Sequence, residues 1–330
     1  TVWNMTTSTL LFVMSLRTRQ AFKRFWEATG LLHQMKGEWL DTINNCTAFS
    51  CKASKARPIE VCQFRHTIVR LMSLVHGSAL EEIAGFHGRM ETIDVQGLSS
   101  ATLRHMKDCV ETHHFNKVEV LMHVLKNVIT QAHKDGILDV PPPILSRVYQ
   151  TISRGYVKLL ESKKITDTKF PFPLVQLLLL LMHVHLVITP LIAAMVGNSI
   201  LVAPVIAFLP IFGVHAPYFI SIELENPFGD EANSLPLGYF QSEMNNCLIM
   251  LLHEKTDLIP TVGKRCIMDF ANLKEALTMH GECEQGIPIA SSALNLFDPD
   301  FDMTAAMSTL ESENSFHSRS FKLASAFAKA

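Results

Sequence analysis

Between Phe170 and Ile222 the chain has no Asp, Glu, Lys or Arg. A solvent-facing helix normally keeps a polar stripe, and neither half of this stretch has one, which argues against a pair of core helices in a soluble protein. The chain also lacks a net charge of either sign: 29 basic residues stand against 31 acidic ones, so no basic field is available for nucleic acid. The seven cysteines, Cys46, Cys51, Cys62, Cys109, Cys247, Cys266 and Cys283, contain no CxxC pair and no histidine spacing that builds a zinc site. They read as reduced thiols facing a cytosol-like compartment. Strand-like alternation is missing throughout, which points to an all-α protein. No nucleophile-base pair, metal set or phosphate loop is recognisable, and an enzyme is not expected.

What is present is apolar length. A bilayer's hydrocarbon is crossed by about 20 apolar residues, and the charge-free stretch is long enough to cross twice. Gly197, Asn198 and Ser199 divide it into Leu174 to Val196 and Ile200 to Ile222, so the expectation for 170–222 is a transmembrane helical hairpin. Lys163, Lys164 and Lys169 precede the first span, and this basic bias places both ends of the hairpin on the cytosolic side. His183, His185 and His215 fall within the spans, where an ionisable residue is a functional candidate; neutral rings bonded to a neighbouring helix are the simpler reading.

Residues 1–16 are also uncharged and give way abruptly to Arg17, Arg19, Lys23 and Arg24, the pattern of a membrane helix leaving on the cytosolic side. The apolar part is too short to span alone, so an N-terminal part is expected to be missing. Ser8, Phe12 and Leu16 recur every four residues and share one helical face. That spacing fits a packing stripe between helices as well as a functional surface.

The remainder divides into a partial membrane helix with its cytosolic extension over 1–37, a helical cytosolic region over 38–169, a segment at 223–259 after the hairpin, and a largely disordered tail over 260–330. Within the cytosolic region, one helix is expected from Pro58 to about Ala84, with Phe64, Ile68, Met72, Val75 and Leu80 inward. A second is expected from about Asn116 to His133, ending at Asp135-Gly136. A third follows Pro141-Pro142-Pro143 and carries Ile144, Val148, Ile152 and Tyr156 on one face. An amphipathic helix is expected over Gln241 to Leu258.

Four stretches, LLFVMSLRTRQAFKRFWEA at 10–28, PPPILSRVYQTISRG at 141–155, FPFPLVQ at 170–176 and IELENPFGDEANSLPL at 222–237, resemble the bestrophin family of pentameric anion channels. The resemblance runs from about Leu10 to Leu258. It implies a multi-pass membrane protein, all-α, with a large cytosolic helical region and five protomers around one pore in a lipid bilayer. It further implies a pore neck at Ser8, Phe12 and Leu16, a second, cytosolic constriction at Ile144, and small monovalent anions such as chloride as the permeant species. The calcium clasp of calcium-activated members corresponds to Asn226, Asp230 and Glu231. The acidic run there is broken by Ala232 and Asn233, so two carboxylates form a thin supply for an ion that takes six to eight oxygens. Alternative readings are an ion-coupled carrier, for which Pro190, Pro204 and Pro210 suggest broken helices, and a non-conducting membrane scaffold. The absence of an internal repeat and of acidic residues within the spans counts against the carrier.

Overall fold

The computed structural model describes residues 2–279 except 86–89, 198–201, 230–232 and 264–265. The chain forms two compact units, residues 1–258 and 259–330. The first contains α1 (Val2–Ser54), α2 (Pro58–Ala84), a single 3-10 turn (Val95–Gly97), α3 (Ser100–Glu111), α4 (Lys117–Lys134), α5 (Pro142–Asp167), α6 (Phe172–Val196), α7 (Val202–Glu225) and α8 (Leu237–Met250). The second contributes α9 (Phe270–Met279). No strand occurs among the described residues, and the protein is all-α.

Local chemistry sets most of the helix ends. Pro58 and Pro142 occupy first-turn positions of α2 and α5, where the missing N–H costs nothing. The Asn116 side chain accepts from Glu119 N at 3.0 Å at the start of α4, and Gly136, with φ of +70°, follows its C-terminus. Three elements depart from the sequence reading. Helix α3, capped by Ser99 accepting from Thr102 N, was overlooked although Leu103, Met106 and Val110 recur at i, i+3 and i+7 on its inner face. Helix α8 starts at Leu237 and stops at Met250, earlier at both ends than the expected Gln241 to Leu258, because Pro236 lets it begin and a turn follows Leu251. Helix α9 lies in a region read as lacking periodicity. Helix α1 is unbroken from Val2 to Ser54, so the boundary expected at 37/38 falls inside one rigid rod. The tail beyond residue 279 lies outside the described residues.

The N-terminal part of α1 packs with α6 and α7 around Leu10, Met14, Leu178, Met182, Val214 and Tyr218. Only 28% and 17% of the most apolar windows of α6 and α7 are buried inside the chain, so these two helices are long and apolar enough to cross a membrane and present most of that surface outward. Both run through their prolines, Pro190 in α6 and Pro210 and Pro217 in α7, without interruption, contrary to the broken helices that a carrier would use. Gly197 sits where the pair converges: a Cβ there would meet the Ala193 carbonyl oxygen and Ala203 Cβ, both at 2.9 Å.

A larger core joins the C-terminal half of α1 to α2, α4, α5 and α8. Trp39 of α1 is fully buried and donates from Nε1 to the Ile152 carbonyl of α5 at 3.2 Å. The ring lies directly over Gly155, whose position would place a Cβ 2.3 Å from Trp39 Nε1. A helical glycine costs about 1 kcal/mol against alanine, and here it is what allows the indole to reach α5. Thr42 and Thr151 hydroxyls meet at 2.8 Å one turn further along the same seam. On the other side of Trp39, His76 of α2 packs edge-on to the indole and donates from Nδ1 to Gln241 Oε1 of α8 at 2.7 Å. Gln241 donates in turn to the Ser73 carbonyl and to Asn245 Oδ1. Burial, and secondarily the Lys36 ammonium nearby, pushes the His76 imidazole down to about pH 4 from an ordinary 6.5.

Two outcomes are expected. Gly155→Ala forces the Trp39 ring off α5, and overpacking of this kind costs roughly 1–3 kcal/mol; a thermal midpoint in detergent equal to that of the parent protein would show that the seam tolerates the methyl. For His76, the folded state refuses a proton that the unfolded chain accepts between pH 6.5 and about 4. Stability is therefore complete above pH 6.5 and falls as the pH drops through that window, by on the order of 3 kcal/mol in the limit. In His76→Gln the fall in midpoint between pH 7 and pH 4 should be visibly shallower; identical profiles would remove His76 as its source.

Candidate functional site

Helix α1 has two faces in its first five turns. Leu10, Met14, Arg17 and Ala21 are buried against α6 and α7. Ser8, Phe12 and Leu16 lie on the opposite side and are exposed, Phe12 at 64% and Leu16 at 50%. The expected stripe therefore lies on one face of the helix, and among the described residues nothing covers it. Uncovered large apolar side chains at regular helical spacing mark a surface made for a partner, a lipid or a water-filled path.

Arg17, the first charge after the apolar start, turns inward. Its Nη2 donates to Glu225 Oε2 at 3.0 Å, and only 5% of the residue is exposed. The guanidinium lies 4.9 Å from the Tyr218 ring centroid and 5.5 Å from that of Phe170. The second Glu225 oxygen accepts from the Phe170 backbone N–H at 3.3 Å. Arg24, two turns on, donates to the carbonyls of Glu225, Thr168 and Ile165. Two arginines of α1 thus pin the end of α7, the end of α5 and the start of α6 at one level. Sequence reasoning placed Arg17 and Arg24 in a cytosolic basic flank and did not pair them. The available signal was the acid at the matching end of the opposite apolar stretch, in IELENPFG.

Ile144 departs from the face expected of it. Val148 and Ile152 are buried, but Ile144 at the start of α5 is 37% exposed. It lines a cavity of about 520 Å³ between α1 and α5, together with Asp41, Asn45, Arg147, Gln150 and Arg154. The structure does not bring Ile144 and the Phe12 stripe together. They sit toward opposite ends of the α1–α5 pair, as the contacts Arg24–Ile165 and Thr42–Thr151 along it require.

Of the clasp residues, Asn226 is exposed and its carbonyl accepts from Gly229 N at 3.3 Å in a tight turn, while Asp230 and Glu231 lie outside the described residues. The nearby described carboxylates are already engaged, Glu225 by Arg17 and Glu223 by Asn233. Among the described residues no group of three or more His, Cys, Asp and Glu side chains is placed to hold a metal. The His105–Cys109 pair, one turn apart on α3 with Sγ 3.7 Å from Nε2, is a spacing the sequence reading overlooked. The six described cysteines are free thiols, and Cys283 lies outside the described residues.

The membrane-helix histidines bond within their own helices, not across to a neighbour. His183 Nδ1 meets the Leu179 carbonyl at 2.7 Å and His215 Nδ1 the Ile211 carbonyl at 2.8 Å. The ring of His185 instead stacks on Trp3 of α1 at 5.3 Å.

Comparison with known proteins agrees with this architecture. A family model described as Bacterial/Fungal Bestrophin protein matches residues 2–248. No curated protein matches. Among solved structures, a bacterial bestrophin homologue from Klebsiella pneumoniae, phased on zinc, superposes with a TM-score of 0.61 at 16% identity, covering 76% of this chain and 86% of that one. A point variant of a bacterial bestrophin homologue from the same organism gives a TM-score of 0.61 at 16% identity, over 76% and 87% of the two chains. A crystal structure described as a membrane protein, also a point variant, gives 0.61 at 15% identity over 76% and 86%. At such identities the likeness is one of fold.

The Arg17–Glu225 pair generates a stability prediction. Removing one partner of a desolvated pair leaves an uncompensated charge, at a cost on the order of 3 kcal/mol. Glu225→Gln should lower the thermal midpoint and the yield of monodisperse protein, whereas Glu111→Gln, at the exposed ion pair with Lys107, should change either little. Equal losses in the two variants would contradict the central place given to Arg17.

Proposed function

Since the chain belongs to the bacterial and fungal bestrophin family, we propose that it is a passive channel for chloride and similar monovalent anions, with the path enclosed by a homopentamer in a lipid bilayer. Its helical bulk lies on the cytosolic side, Ser8, Phe12 and Leu16 line a neck, and Ile144 forms a second constriction. The observation that supports this reading above others is the uncovered stripe on α1. Its opposite face is occupied by α6 and α7, so the stripe is the one side of this membrane-level helix left for a path shared between protomers. One chain with so few polar residues at membrane depth cannot enclose water by itself, which is why the path is assigned to several copies.

The physics of such a neck is dewetting. An apolar ring strips part of an ion's water shell, so ions that hold water weakly cross more easily. The positive edges of phenylalanine rings favour an anion without any formal charge. A carrier gains no support, because α6 and α7 pass their prolines unbroken and provide no unwound midplane site.

The test is electrical. Purified protein in planar bilayers should give currents that reverse at the passive anion potential, with iodide and thiocyanate more permeant than chloride, and native mass spectrometry should give five copies. Phe12→Ala should raise conductance or leave the pore open, and Ile144→Ala should weaken the discrimination among anions. A silent protein, a cation reversal potential, or an unchanged current in well-assembled Phe12→Ala protein would each overturn the corresponding part.

A further inference from the structure

The constriction proposed at Ile144 is apolar, yet its nearest neighbour on the exposed side of α5 is a cation. We propose that Arg147 sets charge selectivity at the cytosolic mouth by holding permeant anions in the cavity beside Ile144. This rests on the conducting pore proposed above and adds an electrostatic filter to a path described so far only by dewetting.

Arg147 follows Ile144 by three residues in α5, so the two side chains leave adjacent points of one helical face. Both line the 520 Å³ cavity, and Arg147 is exposed with no ion-pair partner among the described residues. The other charges facing the cavity are Asp41 and Arg154. Arg154 is neutralised by Glu38, which accepts from its Nε at 3.0 Å and its Nη2 at 2.9 Å. Asp41 accepts from the neutral Asn45 Nδ2 at 2.9 Å. Position decides between Asp41 and Arg147. The Thr42–Thr151 and Glu38–Arg154 contacts fix α1 and α5 antiparallel. In that register Asp41 lies about one helical turn deeper than Arg147. Moving inward from Ile144, an ion meets first a free cation, then an anion, then a neutral pair.

The first turn of α5 contains no acidic residue to offset that cation. A guanidinium is weakly hydrated and offers several N–H donors in a fixed fork, which suits an anion arriving with part of its water already lost. The Gln150 side chain, on the same cavity wall, supplies a further amide donor. Repeated around a pentamer, this arrangement gives five cations immediately inside the constriction, where low-dielectric walls focus their field.

The experiment is reversal potential under a potassium chloride gradient for the full chain and for Arg147→Gln and Arg147→Lys, with pentamer yield checked by native mass spectrometry. Arg147 is solvent-exposed, so both variants are expected to assemble. The expected result is an anion-over-cation permeability ratio lowered about tenfold in Arg147→Gln, the low end of the enrichment a charged cleft gives, and largely kept in Arg147→Lys. If the parent protein selects anions and Arg147→Gln selects them equally well, the role of Arg147 is wrong and the pore reading stands. A parent protein that selects cations or does not conduct overturns the pore reading and this proposal with it.

Discussion

The Arg17–Glu225 pair is the constraint from which the rest of the arrangement follows. A cation and an anion both removed from water at the border of the apolar layer are tolerated only with close geometry and further hydrogen bonds. Glu225 has both, through Arg17 on one oxygen and the Phe170 N–H on the other. The aromatic faces of Phe170 and Tyr218 cover the guanidinium. Because the pair joins the N-terminal third of α1, the end of α7 and the start of α6, it fixes the height of the hairpin relative to the long helix. Arg24 extends the clasp to the end of α5 through the Thr168 and Ile165 carbonyls, which would otherwise be the unsatisfied oxygens of a helix terminus.

That junction separates two kinds of packing. Outward of it, α1, α6 and α7 meet through a small apolar cluster, and α6 and α7 leave most of their apolar surface uncovered among the described residues. In hydrocarbon there is no hydrophobic force between helices, so close approach depends on shape and on small residues such as Gly197 against Ala203. Inward of it, the larger core is built as in a water-soluble helical protein, with Trp39, Ile68, Leu125 and Ile152 fully buried. The Trp39–Gly155 seam and the Gln241–His76–Ser73 bonds supply the specific directions that apolar packing lacks. Helix α1 passes unbroken through both regions, so its exposed N-terminal face is mechanically continuous with the larger core.

The candidate sites inherit their character from this frame. Phe12 and Leu16 are exposed because α6 and α7, held by Glu225, occupy the other side of α1. Ile144 is exposed because the α1–α5 seam turns Val148 and Ile152 inward and leaves the first turn of α5 at the rim of a cavity. Two apolar positions far apart on one chain are thereby presented without any contact between them.

By itself the sequence determined the class of protein and most of its helices. Charge-free length, the positions of Pro58, Pro142, Asn116 and Gly136, and the inward rows of α2, α4 and α5 are local properties, set by propensity and by the 3.6-residue period. The stripe at Ser8, Phe12 and Leu16 was legible for the same reason. Helix α3 was legible in principle, from Leu103, Met106 and Val110 at i, i+3 and i+7 after the Ser99 cap, and was overlooked; the ends of α8 were misplaced because apolar residues continue past the turn at Leu251. Only the tertiary structure decided which arginine of the basic cluster faces inward, since Arg17 and Glu225 are 208 residues apart and no local rule couples them. It also decided that Ile144 leaves the face it shares with Val148, and that Arg147 stands beside it with no counter-ion among the described residues. Those outcomes depend on how α1 and α5 cross, which is fixed by volumes and hydrogen bonds brought together only on folding.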